Sequence, residues 1–180
     1  MIDSARQVLL TRSRAAFETC LPRANLGRAI VFAAGTGLIA GALGGAINIF
    51  SADGSLGDVV VLSMFNAIRF VVSLLLTQGL IYGLASTFGA QGPFVAEAYL
   101  ASLYMVPLQF VAVLALGFNA ILPGLGFLIG AATLVYEIIL SVPMLRAVFG
   151  DDWRVPNWAL ALIALIGTGV GATISTFLPQ

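Results

Sequence analysis

Three ionisable side chains, Arg69, Glu97 and Glu137, stand inside long apolar runs of the chain and are the residues best placed to do chemistry. A charge at the centre of a bilayer costs roughly 2.5 to 3.5 kcal/mol on insertion scales, so each must have a partner, a proton or a purpose. Glu137 lies in "TLVYEIILSVPML" (133 to 145), eight residues before the end of its run. That distance is roughly 12 Å along a helix, too far for easy escape to water. The chemistry open to such a group is that of a proton or cation site in a water-filled path. Transport paths, however, carry several polar groups in line or helices broken at the midplane. This chain offers Glu137, with Pro107 and Pro143 as kink positions and few other polar residues in the runs. The competing expectation is structural: Glu137 pairs with Arg69, or stays protonated and hydrogen-bonded to a neighbour such as Gln78, Gln109 or Tyr99. Glu97 begins its own run and can reach the interface.

Other reactive constellations are missing from the sequence. With no histidine and no lysine, the usual general bases are absent, and no phosphate-cradling glycine loop followed by lysine occurs. No Ser-His or Cys-His nucleophile can be assembled. The single cysteine, Cys20, cannot form an internal disulfide, and a zinc site without histidine and with one thiol is nearly excluded. Asp151 and Asp152 read as a solvated turn pair. No enzyme activity, cofactor, metal or nucleic-acid partner is expected.

The elements that position these residues follow from composition. Of 180 residues, 60% are hydrophobic and 9% charged, where a soluble domain is about a quarter charged. The apolar runs are continuous rather than alternating, which predicts an all-α polytopic bundle and not a β-barrel. Five runs of spanning length, about 28–50, 62–88, 95–117, 121–145 and 156–178, are separated by "SADGSLGD", "GAQGP", "GFNAILPG" and "GDDWRVP". The second run is long, and residues 59–66 are expected at the membrane surface. Five of the eight arginines (Arg6, Arg12, Arg14, Arg23, Arg28) precede or open the first run, and Arg146 and Arg154 flank the last loop. An excess of arginine marks cytoplasmic segments, so the N-terminus is predicted inside and, after five spans, the C-terminus outside. Trp153 and Trp158 fit an interfacial belt.

Residues 1–27 are too long and too mixed in charge for an export signal and read as a retained basic segment. Residues 2–21 can be drawn as an amphipathic helix on the inner leaflet, with Arg6, Arg12 and Arg14 toward anionic lipid. A partly ordered basic tail is the alternative. Small residues recur at four-residue spacing: Ala33, Gly37, Gly41 and Gly45 on the first span, Gly126 and Gly130 on the fourth, Gly167, Gly171 and Ser175 on the fifth. Such stripes let helix backbones approach, within the bundle or against another subunit.

Three stretches resemble the bacterial branch of the YIP1 family of small five-span membrane proteins. "RAAFETCLPRANLGRAIVF" (14–32) is similar to the family's entry segment. "LLLTQGLIYGLASTFGAQGPFVAEAYLASLYMVPLQFV" (74–111) is similar to its second span, glycine-rich inner turn and third span with Ala98, Tyr99 and Pro107. "LVYEIILSVPMLRAVFG" (134–150) looks like its fourth span and exit, here Leu145 to Gly150. The resemblance implies a five-span protein without enzymatic activity. The Asp-Leu-Tyr-Gly-Pro motif and long polar N-terminal domain of eukaryotic members are not matched, so their link to Rab GTPases is not carried over. Asp151 and Asp152 replace the Gly-Lys that often follows the fourth span, which weakens any lipid-headgroup role there. Together these features predict a protein of the bacterial inner membrane that acts by helix–helix association, as an accessory subunit or a homo-oligomer organising the bilayer. A small transporter or channel component centred on Glu137 is the alternative.

Overall fold

The computed structural model describes residues 1–51, 55–118 and 124–150. All its regular elements are helices: α1 (Ile2–Thr11), α2 (Arg14–Glu18), a 3-10 turn (Leu21–Arg23), α3 (Leu26–Ser51), α4 (Leu56–Thr87), α5 (Phe94–Phe118) and α6 (Leu125–Phe149). Within α3 to α6 lie four segments long and apolar enough to cross a membrane: Leu26–Ile47, Leu56–Thr87, Phe94–Ala115 and Leu125–Phe149. The expected fifth run, 156–178, falls outside the described residues, as do Asp53, Asp151, Asp152, Trp153, Arg154, Trp158, Gly167, Gly171 and Ser175.

Local chemistry sets the helix limits. Ser55 and Asp58 form a capping box: the Ser55 N–H donates to Asp58 Oδ2 at 2.7 Å, and the Asp58 N–H donates to Ser55 Oγ at 3.4 Å. The second apolar run therefore starts at Leu56 rather than 62, and residues 59–66 belong to one unbroken 32-residue helix. Gly124 (φ 90°) and Gly150 (φ 79°) adopt the left-handed side of backbone space and bracket α6. That helix runs 125–149, later than 121–145. Pro107 and Pro143 lie inside α5 and α6, which continue through them.

α5 is the axis of the assembly, packing against α6, α3, α4 and α1. Eleven consecutive residues, Ala96 to Val106, are buried. Three full turns thus have no lipid-facing side, the behaviour of a helix apolar all round. α3 and α4 meet through the glycine stripe. A Cβ built at Gly37 would strike the backbone of Asn66 and Ala67; at Gly41, that of Leu62 and Ser63; at Gly45 it would lie 2.7 Å from Val59 Cα. The stripe of the first span is consumed inside the bundle.

These contacts also show a step. Gly37 meets Asn66, and Gln78 meets Met105. Asn66 and Gln78 are twelve residues, about 18 Å, apart along α4. Gly37 and Met105 are each eleven residues into their helices, and both helices run antiparallel to α4, so α3 begins about 18 Å short of the level on α4 at which α5 begins. The start of α5 would lack cover on that side. α1 and α2 supply it, packing on α5 and α6 respectively.

Their docking is specific. Val8 and Phe17 are fully buried, and Phe17 meets Tyr104 edge-on with ring centroids 6.1 Å apart. Tyr136 Oη donates to the Leu9 carbonyl at 2.6 Å, satisfying one of the carbonyls that the end of α1 leaves open. The Arg12 guanidinium sits 4.8 Å from the centroid of the same ring. Residue 12 itself turns left-handed (φ 51°) to end α1.

Two alanine substitutions three positions apart on α3 test this packing. Gly41→Ala should lower stability in detergent by about 1 to 3 kcal/mol, because its Cβ has only backbone to displace. Gly44→Ala, with nothing within 4 Å, should be neutral or up to about 1 kcal/mol stabilising. Thermal or chemical unfolding followed by circular dichroism reads both.

Candidate functional site

Most hydroxyls within the bundle bond their own helix. Ser63, Ser102, Thr133 and Ser141 donate to the carbonyls of Val59, Tyr99, Gly130 and Ile138. Among the described residues, side chains of different spans bond at Gln78 Nε2 to Met105 Sδ, 3.0 Å, and Gln109 Nε2 to Ser73 Oγ, 3.1 Å, both joining α4 to α5.

Against that background Glu97 stands out. It lies in the first turn of α5, is fully buried, and neither carboxylate oxygen has a hydrogen-bond partner among the described residues. Its position near a helix end predicted access to the interface. The structure corrects this: the covering helices close over the start of α5, so depth along a helix does not measure burial. Asn66 Oδ1, Thr77 Oγ1 and Gln78 Oε1 are likewise buried and unpaired among the described residues.

Tyr104 is the residue that relates the acids to one another. Seven positions after Glu97, on the same face of α5, it lies within electrostatic reach of both Glu97 and Glu137. Glu137 is half-buried on α6. None of the partners expected for it is engaged with it. Gln78 and Gln109 bond α5 and α4 residues, and Arg69, half-buried on α4, forms no ion pair with it; among the described residues the one ion pair is Arg14 to Glu18 at 2.6 Å. The expected Arg69–Glu137 pair is thus absent from the described contacts.

The surface arginines divide. Arg6 is exposed, Arg12 covers Tyr136, and Arg14 pairs with Glu18 one turn on. Gly126 is buried, while a Cβ at Gly130 would meet nothing within 4 Å. No group of three or more His, Cys, Asp or Glu that could hold a metal occurs among the described residues. Chemically, the arrangement offers two carboxyl groups within electrostatic reach of one buried phenol.

No protein-family model, curated protein or solved structure matches the chain.

A carboxyl buried without partners costs roughly 1 to 3 kcal/mol by mutational scales. Replacing Glu97 with methionine, of similar length, should therefore raise the unfolding midpoint in detergent. An unchanged or lower midpoint would show that the carboxyl has a compensating partner.

Proposed function

We propose that this chain is a non-enzymatic integral membrane protein that works through contacts between helices in the bilayer, as an accessory subunit of a larger complex or as a membrane-organising homo-oligomer. In this reading five helices cross a bacterial inner membrane in the manner its YIP1-like segments suggest. The N-terminal segment lies on the cytoplasmic side and the C-terminus outside.

What supports it is the contrast between the two small-residue stripes. On α3 the glycines are spent on α4, whereas Gly130 on α6 stands in open space beside exposed Phe127, Leu128, Ala131 and Ala132. Apolar side chains gain nothing by leaving lipid, so close backbone approach at small residues is the main way a bilayer helix recruits another. In mild detergent the protein should run above monomer size or with a co-purifying chain. Gly130→Leu should return it to a free monomer with unchanged helicity. A wild-type chain that is monomeric and alone contradicts the proposal.

The second reading, a small transporter or channel component, gains support from one observation: enclosed Glu97, without a hydrogen-bond partner among the described residues, and Glu137 both lie within electrostatic reach of Tyr104. Vesicles reconstituted with wild type, Glu97→Gln and Glu137→Gln discriminate. Proton or cation flux lost in both variants supports this reading, and flux that is absent or equal in all three removes it.

A further inference from the structure

The outer face of α3 and the first residues of the chain enclose a groove of about 700 Å³ that opens to the exterior. Val31, Phe32, Gly35 and Ile39 form its length with Met1 and Ile2 against them, and Asn25 and Arg28 stand at one end. Apart from Thr36, the lining beyond Arg28 is apolar, and no carboxylate borders it.

Two properties of the groove identify its occupant. From Arg28 to Ile39 is eleven residues, about 16 Å of helix, against about 15 Å for half of a 30 Å hydrocarbon core. The groove therefore has the length of one leaflet. Its polar end carries positive charge: the exposed Arg28 guanidinium, which makes no ion pair among the described residues, and the N-terminus of the 26-residue α3. The Asn25 side-chain carbonyl is occupied, accepting the Arg28 N–H at 3.0 Å as the cap of α3, so its amide N–H groups are the part left facing a ligand.

We infer that the groove is a binding site for an anionic glycerophospholipid, with one acyl chain along Val31 to Ile39 and the headgroup phosphate on Arg28. Gly35 is the floor of the site. Nothing lies within 4 Å of a Cβ built there, so a larger side chain takes up groove space without displacing protein. The inference rests on α3 spanning the membrane and is independent of the association proposed above.

The test uses the full chain in mild detergent, titrated with phosphatidylglycerol or phosphatidylcholine and read by native mass spectrometry. Wild type should retain one phosphatidylglycerol in preference to phosphatidylcholine. Arg28→Gln should lower phosphatidylglycerol retention about five-fold, the equivalent of about 1 kcal/mol per arginine at an anionic headgroup. Gly35→Leu should abolish retention of both lipids while helicity and elution volume stay as in wild type, which separates groove filling from misfolding. Equal retention of the two lipids by wild type, or undiminished phosphatidylglycerol retention by folded Gly35→Leu, overturns the site.

Discussion

Eleven residues of α5 without an exposed side impose a requirement on every other element. A helix surrounded by lipid needs nothing from its neighbours beyond satisfied backbone bonds, whereas one enclosed by protein must be met on all sides by shapes that fit. α3, α4 and α6 cover three sides of α5. The step of about 18 Å between the starts of α3 and α5 leaves the fourth side short, and the N-terminal helices fill it. The basic segment is accordingly part of the core, with Val8 and Phe17 as buried as any span residue.

The same enclosure explains where polarity survives. Hydroxyls fold back on their own helices, which spares the bundle from needing cross-helix networks, and two glutamine bonds tie α4 to α5. Glu97 receives no such compensation. A group held at that cost is either a functional acid or a residue the bundle would be more stable without, and the two differ in whether its removal changes anything besides stability. The dispersal of the remaining polar groups is what the proposed role in helix and lipid contacts would require.

Much of this was legible from residue order. The four apolar helices follow from run length and composition, and the α3 stripe from its four-residue spacing. Boundaries were missed where cap chemistry outweighed hydropathy: "SADGSLGD" reads as loop, yet its Ser55 and Asp58 start α4, and Gly124 and Gly150 displaced α6 by four residues at each end. The burial of Glu97 was missed because it depends on what packs around the start of α5, which position along the helix does not report. A signal was present. "AEAYLASLYMV" (96–106) mixes small residues and aromatics around the whole circumference, so no lipid face can be drawn on it. The partners assigned to Glu137 failed for a related reason: composition shows which groups exist, while tertiary register decides which of them meet.

The N-terminal segment completes the enclosure of α5, and the chain carries its own reporter for that contact. Cys20, its single cysteine, is buried at 3% exposure between α2 and the start of α3, within electrostatic reach of Tyr99 on α5. Maleimide labelling of the native protein in membranes opened to the reagent on both sides measures whether that burial is real. Reaction should be slow, and become fast on denaturation in sodium dodecyl sulfate and on Phe17→Ala, which removes the ring seated on Tyr104. Labelling of native wild type as fast as that of the denatured chain would mean that the segment lies free of α5, and would contradict that enclosure.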